Sequence, residues 1–207
     1  MRKAIPANKT QHKQALNSQQ IKRSTFFAYL DAKGIQWKRK GKTTAVFGSL
    51  HLHQHQGSRF KVPANLCVHG DVHFAEYSKI PKNIEVTGSL YIHCSPLYRY
   101  NSKITIPASL KVGSSVYLYH YNGHWPTNIN VINGHFFWIY SDNKNLPEIF
   151  VVKGEMDVSG SILRTPPSDL TVGGDLKMLD TRATHLPERM TLGGVLNLSF
   201  SKIGADG

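Results

Sequence analysis

Leu186-Pro187-Glu188-Arg189-Met190-Thr191-Leu192-Gly193-Gly194-Val195-Leu196-Asn197-Leu198 repeats, 20 residues on, the pattern of Pro166-Pro167-Ser168-Asp169-Leu170-Thr171-Val172-Gly173-Gly174-Asp175-Leu176-Lys177-Met178. Leu146-Pro147-Glu148-Ile149-Phe150-Val151-Val152-Lys153-Gly154-Glu155-Met156-Asp157-Val158 stands 20 residues earlier again. Apolar residues alternate on both sides of the last glycine, which is the period of a strand. Working outward from these units, the centre of the pattern falls at 48, 70, 88, 114, 134, 154, 174 and 194, with Ser114 in place of one glycine. A second marker drifts with it: Pro63, Pro81, Pro107, Pro126, Pro147, Pro167 and Pro187. A third follows three residues behind each proline: Leu66, Ile84, Leu110, Ile129, Phe150, Leu170 and Met190.

Self-similarity at this period belongs to solenoids, whose single turns cannot bury a core but whose stacked turns can. The glycine is expected at a corner that needs a bend or φ > 0. Proline, a poor ladder donor, is expected in the connection. The fold expected is therefore all-β, a parallel β-solenoid of about eight 20-residue turns. With rungs about 4.8 Å apart, the rod is about 35–40 Å long.

The unit Leu-Pro-x-x-Leu-x-Val-x-Gly-x-Leu-x-Leu resembles the short leucine-rich-repeat-like solenoids of bacterial and phage proteins, over residues 43 to 203 and most clearly from Thr165 to Leu198. The asparagine ladder usual in eukaryotic leucine-rich repeats is missing from the pattern, which leaves a straighter β-solenoid open. The resemblance implies a binding module of inhibitor or adaptor type and brings no catalytic motif.

The organisation expected is a basic arm at 1–23, a helical N-terminal cap at 24–42 and the solenoid at 43–207. Ser24 can N-cap the helix and Gly34 can end it, while Phe26, Phe27 and Leu30, joined by Trp37, offer the apolar face. No such helix follows Ile203, so a homodimer through an uncapped C-terminal end is an expected mode of self-association. No apolar run reaches bilayer length and residues 1–20 lack an apolar signal region. A soluble, cytoplasmic protein is the reading.

The net charge of +12 is unevenly spread. Residues 1–42 carry +10, residues 43–140 carry +4 and residues 141–207 carry −2. A basic arm is the electrostatic footprint of a polyanion partner. Lys22, Arg23, Lys38, Arg39, Lys40 and Lys42 are its candidate contacts.

Outward positions are free to carry function. Three residues past each centre stand His51, His73, Tyr91, Tyr117, Phe137, Asp157, Lys177 and Asn197. Five past stand His53, Ala75, His93, Tyr119, Ile139, Ser159, Leu179 and Ser199. The first turns are aromatic and the last are small or charged. Such a stripe marks a contact surface. His51, His53, His73, Tyr91, His93, Tyr117, Tyr119 and Phe137 are thus the candidate partner-binding residues, for a protein or nucleoprotein partner. The alternative is a nucleic-acid-binding protein, the arm on phosphates and the rings stacking on bases. Alternation places His51, His53 and His55 on one strand face, but no clear acidic or cysteine ligand completes a zinc set, so no metal and no cofactor is expected. Nucleophile elbow, phosphate loop and zinc-protease motifs are missing. Acids are sparse, and Cys67 and Cys94 read as neutral thiols, so an enzyme is not expected.

Overall fold

The computed structural model describes residues 26–52, 61–75, 78–96, 104–141 and 146–204. The arm at 1–23, Ser24 and His53 lie outside them.

One short helix, α1 (Phe26–Ala32), precedes β1 (Gln36–Lys40) and β2 (Thr43–Phe47). Then come β3 (Leu50–Leu52), β4 (Asn65–His69), β5 (Val72–Ala75), β6 (Asn83–Val86), β7 (Leu90–His93), β8 (Lys111–Val112) and β9 (Val116–Tyr119). The chain continues through β10 (Val131–Ile132), β11 (Phe136–Ile139), β12 (Ile149–Val152) and β13 (Met156–Asp157). It closes with β14 (Asp169–Val172), β15 (Leu176–Lys177), β16 (Arg189–Leu192) and β17 (Leu196–Asn197).

Odd-numbered strands from β3 to β17 form one eight-stranded sheet, all parallel and in sequence order. The other side is a five-stranded sheet, β1-β2-β4-β6-β8, followed by a four-stranded one, β10-β12-β14-β16. The fold is a parallel β-solenoid of about seven turns.

Alternation builds the core. Leu50 and Leu52, Val72 and Phe74, Leu90 and Ile92, Val116 and Leu118, Phe136 and Trp138 all point inward and are buried. From the opposite sheet come Val46, Leu66, Val68, Ile84, Val86, Phe150 and Val152. The repeat register is preserved, so each inward residue stacks on its counterpart one turn away. In the last turn Met190, Leu192, Leu196 and Leu198 are only partly buried, because nothing among the described residues stacks beyond them.

The first glycines of the column, Gly48 (φ 131°) and Gly70 (φ 157°), take the positive φ expected at a corner, but the later ones do not. Gly88, Gly134, Gly154, Gly174 and Gly194 are not at positive φ. What excludes a side chain there is the turn next door. A Cβ on Gly154 would lie 3.0 Å from the carbonyl carbon of Gly134, and one on Gly70 would lie 2.8 Å from that of Gly48. Backbone stacks on backbone at this corner, through bonds such as Gly154 N to Gly134 O at 2.9 Å and Gly174 N to Gly154 O at 3.0 Å.

Left-handed backbone occurs at another corner, at His120 (φ 53°), Tyr140 (54°), Gly160 (64°), Asp180 (49°) and Phe200 (60°). Bulky residues rarely adopt it. The stacking of turns holds them there: His120 N donates to Ile139 O, Tyr140 N to Ser159 O and Asp180 N to Ser199 O.

A polar ladder is present after all, built from mixed residues. Asn83 Nδ2 donates to Asn65 Oδ1 at 2.6 Å, and Asn65 Nδ2 to Lys42 O at 3.2 Å. Asn128 Nδ2 reaches Ala108 O at 2.7 Å and Ser168 Oγ reaches Glu148 O at 3.1 Å. Ser109 Oγ donates to Lys82 O. Asparagine and serine share the role, so no single residue type marks it in the repeat.

At the N-terminal end, residues 24–42 are not all helix. α1 ends at Gly34, whose φ of 67° and bond to Asp31 O close it, with Ile35 N on Leu30 O at 2.9 Å. Phe26 and Leu30 enter the core. Gln36–Lys40 turns back as a strand antiparallel to β2, Lys40 opposite Thr43 across a Gly41-Lys42 turn. Trp37 packs on Phe27, ring centroids 4.5 Å apart, and its Nε1 donates to Asp31 Oδ1 at 2.9 Å. Among the described residues no helix is long and apolar enough to cross a membrane.

Candidate functional site

Parallel pairing sets His51 opposite His73, His73 opposite Tyr91, Tyr91 opposite Tyr117 and Tyr117 opposite Phe137. Their rings form a continuous ladder. His51 and His73 stack with centroids 4.3 Å apart at 19°, His73 and Tyr91 at 4.2 Å and 1°, Tyr91 and Tyr117 at 4.6 Å and 7°. Phe137 ends the run edge-on to Tyr117, at 5.2 Å and 88°. The ring spacing follows the rung spacing.

This stacking decides what the ladder can offer. His73 and Tyr91 each have a ring on both faces. Their faces are used up, and the surface they present is a row of ring edges carrying hydroxyl and imidazole nitrogen. The second column lies alongside, with His93 and Tyr119 tilted against each other at 4.8 Å. At the neighbouring corner His120 and Tyr140 stack at 5.4 Å and 13°, and Tyr140, 55% exposed, lies over Gly160, where a side chain would strike its ring. The sequence reading missed this corner column.

The ladder sits in an acidic setting. Among the described residues, the outward side of the eight-stranded sheet carries Asp71, Glu155, Asp157 and Asp175 against Lys177. That is −3 on one face of a chain of +12. Asp71 Oδ1 accepts from Ser89 N at 2.7 Å, Asp157 Oδ1 from Ser159 N at 2.9 Å and Asp175 Oδ1 from Val195 N at 2.8 Å. Lys177 donates to Glu155 at 2.7 Å, and that bond raises the lysine's pKa. Burial first, then the neighbouring Tyr117 and Asp71, hold the Tyr91 hydroxyl above its ordinary pKa, with a Ser89 hydrogen bond acting the other way. Tyr119 is raised too, by burial and then by Tyr117 and Asp157. These hydroxyls are protonated at neutral pH and available as donors.

The proposed polyanion contacts are divided. Lys22 and Arg23 lie outside the described residues. Lys38, Arg39 and Lys40 stand on β1, where alternation sends them to opposite sides. Arg39 lies 5.7 Å above the Phe27 ring. Lys42 is in the hairpin turn, its carbonyl held by Asn65. The depression beside them, 590 Å³, sets Asp31 against Lys38 between Trp37 and Phe47 and has no net positive lining.

Cys94 is buried, and Cys67 is half-buried with its thiol pushed up, first by burial and then by Glu85. Among the described residues no three His, Cys, Asp or Glu side chains converge as a metal set. Compared with known proteins, the chain matches no family model, no curated protein and no solved structure.

Proposed function

We propose that this chain is a non-enzymatic interaction protein, of inhibitor or adaptor type, that binds a protein partner through the ladder His51-His73-Tyr91-Tyr117-Phe137 and its neighbours His93 and Tyr119. The observation that carries the reading is the stack itself. Five outward rings in register fix a pre-ordered surface whose recognition groups cost little entropy to hold, and aromatic residues with polar tips are those enriched in interfaces. The reading takes the molecule as a cytoplasmic leucine-rich-repeat-like solenoid of eight turns, with residues 24–42 closing its N-terminal end.

Base stacking needs an open ring face. The interior rings of the ladder have none, and the carboxylates beside them repel phosphate. The geometry therefore favours protein over nucleic acid at this face, and leaves nucleic acid only the basic β1 edge and the arm. Capture from a nuclease-treated lysate with the wild-type chain and with Tyr91→Phe/Tyr117→Phe tests the choice. A partner retained after nuclease treatment and lost with the double variant supports the reading. Capture abolished by nuclease, or falling by about 10³ between 50 and 200 mM salt as six phosphate contacts require, refutes it.

A further inference from the structure

The face that carries the ladder is acidic in a basic protein, and one segment of this same chain has the opposite character. Residues 1–25 hold Arg2, Lys3, Lys9, Lys13, Lys22 and Arg23 and no acid. They lead into α1, and α1 stands beside the ladder's first rung: Tyr29 donates its hydroxyl proton to His51 O at 2.8 Å. The distance to be covered is short. From the strand of His51 to that of Asp157 is five rung steps in the eight-stranded sheet, about 24 Å at 4.8 Å each. Twenty-five residues reach about 80–90 Å when extended.

We infer that residues 1–25 are the resident ligand of the ladder face, lying along it with their Lys and Arg side chains toward Asp71, Asp157 and Asp175, and that a partner gains the face by displacing them. This rests on the ladder being a binding face, as proposed above. Charge selects the pairing. The face is −3 where the arm is basic, whereas the β1 edge, with Lys38, Arg39 and Lys40, repels it. The carboxylates remain available because each uses one oxygen, Oδ1, on a backbone N–H. A tethered segment acts at a local concentration on the order of millimolar, so even a weak arm–face contact of about 0.1 mM masks the face about tenfold.

Zero-length carbodiimide cross-linking of the full chain at low micromolar concentration tests this, with mass-spectrometric mapping of the monomer band. Glu155–Lys177, at 2.7 Å, is the internal positive control. The expected result is isopeptide links from Lys3, Lys9, Lys13 or Lys22 to Asp71, Asp157 or Asp175 at 0.1 M salt. They should fall at least about fivefold at 1 M salt, where the Debye length shrinks from about 10 to about 3 Å. The variant Asp71→Asn/Asp157→Asn/Asp175→Asn keeps the Oδ1 acceptors and hence the fold, and should bind a nuclease-cleared partner without the arm's masking. Arm links only to Asp169 or Glu188 on the opposite side, or none while the control link forms, overturn the inference. Links found only in cross-linked dimers make the occupant a second copy and overturn it as well. If arm links are missing but Tyr91→Phe/Tyr117→Phe still loses the partner, the inference falls and the binding reading stands.

Discussion

Removing the ladder's middle separates its two properties, ring stacking and polar edge. Tyr91→Ala/Tyr117→Ala deletes three ring contacts: His73–Tyr91 at 4.2 Å, Tyr91–Tyr117 at 4.6 Å and Tyr117–Phe137 at 5.2 Å. An aromatic pair is worth about 0.5–1.5 kcal/mol beyond area burial, so the double variant should lose about 2–4 kcal/mol. That is a large part of a total of about 5–15 kcal/mol. Tyr91→Phe/Tyr117→Phe keeps all three contacts, and at half-buried positions should stay within about 0.5 kcal/mol of wild type. Urea unfolding followed by tryptophan fluorescence and circular dichroism reads both. An alanine double variant as stable as wild type would mean the rings do not stack in solution, and the edge-presenting surface would go with them. A phenylalanine variant that loses as much as the alanine one would mean that the hydroxyls, not the stack, hold the rungs.

Three further outcomes are expected. Gly70→Ala should lose about 3–5 kcal/mol in the same urea assay. Its Cβ would fall 2.8 Å from the Gly48 carbonyl carbon, which forces these two rungs apart and weakens the bonds between them, Gly48 N to His69 O at 3.1 Å and Leu50 N to Asp71 O at 2.9 Å, each worth about 1 kcal/mol, on top of backbone strain. Ser114→Gly, in the same column, should change stability by less than about 1 kcal/mol. Alkali should unfold the chain. Burial raises the Tyr121 hydroxyl well above its ordinary range, so its folded pKa exceeds the unfolded one. Its stabilising contribution is complete below about pH 10 and is lost as pH rises beyond. Absorbance at 295 nm should register the Tyr121 phenolate only with loss of circular dichroism, and Tyr121→Phe should move the alkaline midpoint up. A phenolate from Tyr121 in the folded chain would contradict its burial.

The solenoid was legible because two signals, inward alternation and 20-residue register, both survive in single residues such as Val152, Val172 and Leu192. The outward ladder followed from the same register, since residues one turn apart must face each other. What escaped detection depends on contacts between turns. The reason for Gly154 is the carbonyl of Gly134 above it, which no local pattern reports. Tyr140 and Phe200 take a left-handed conformation that their types disfavour, so propensity pointed elsewhere. Gln36-Trp37-Lys38-Arg39-Lys40 read as a basic run because only Trp37 is apolar; it is a strand because β2 offered an edge. The acidity of the ladder face was hidden because Asp71, Glu155, Asp157 and Asp175 are scattered through 105 residues of a basic chain and meet only on the folded sheet.

The most direct measurement is the affinity of the nuclease-resistant partner by titration calorimetry for three full chains: wild type, Tyr91→Phe/Tyr117→Phe, and Thr171→Ala on the opposite sheet. Two interfacial hydroxyl hydrogen bonds at about 0.5–1.5 kcal/mol each predict a loss of about fivefold or more for the tyrosine pair and none for Thr171→Ala. Equal affinity for all three, or a loss confined to Thr171→Ala, would place the partner somewhere other than the ladder.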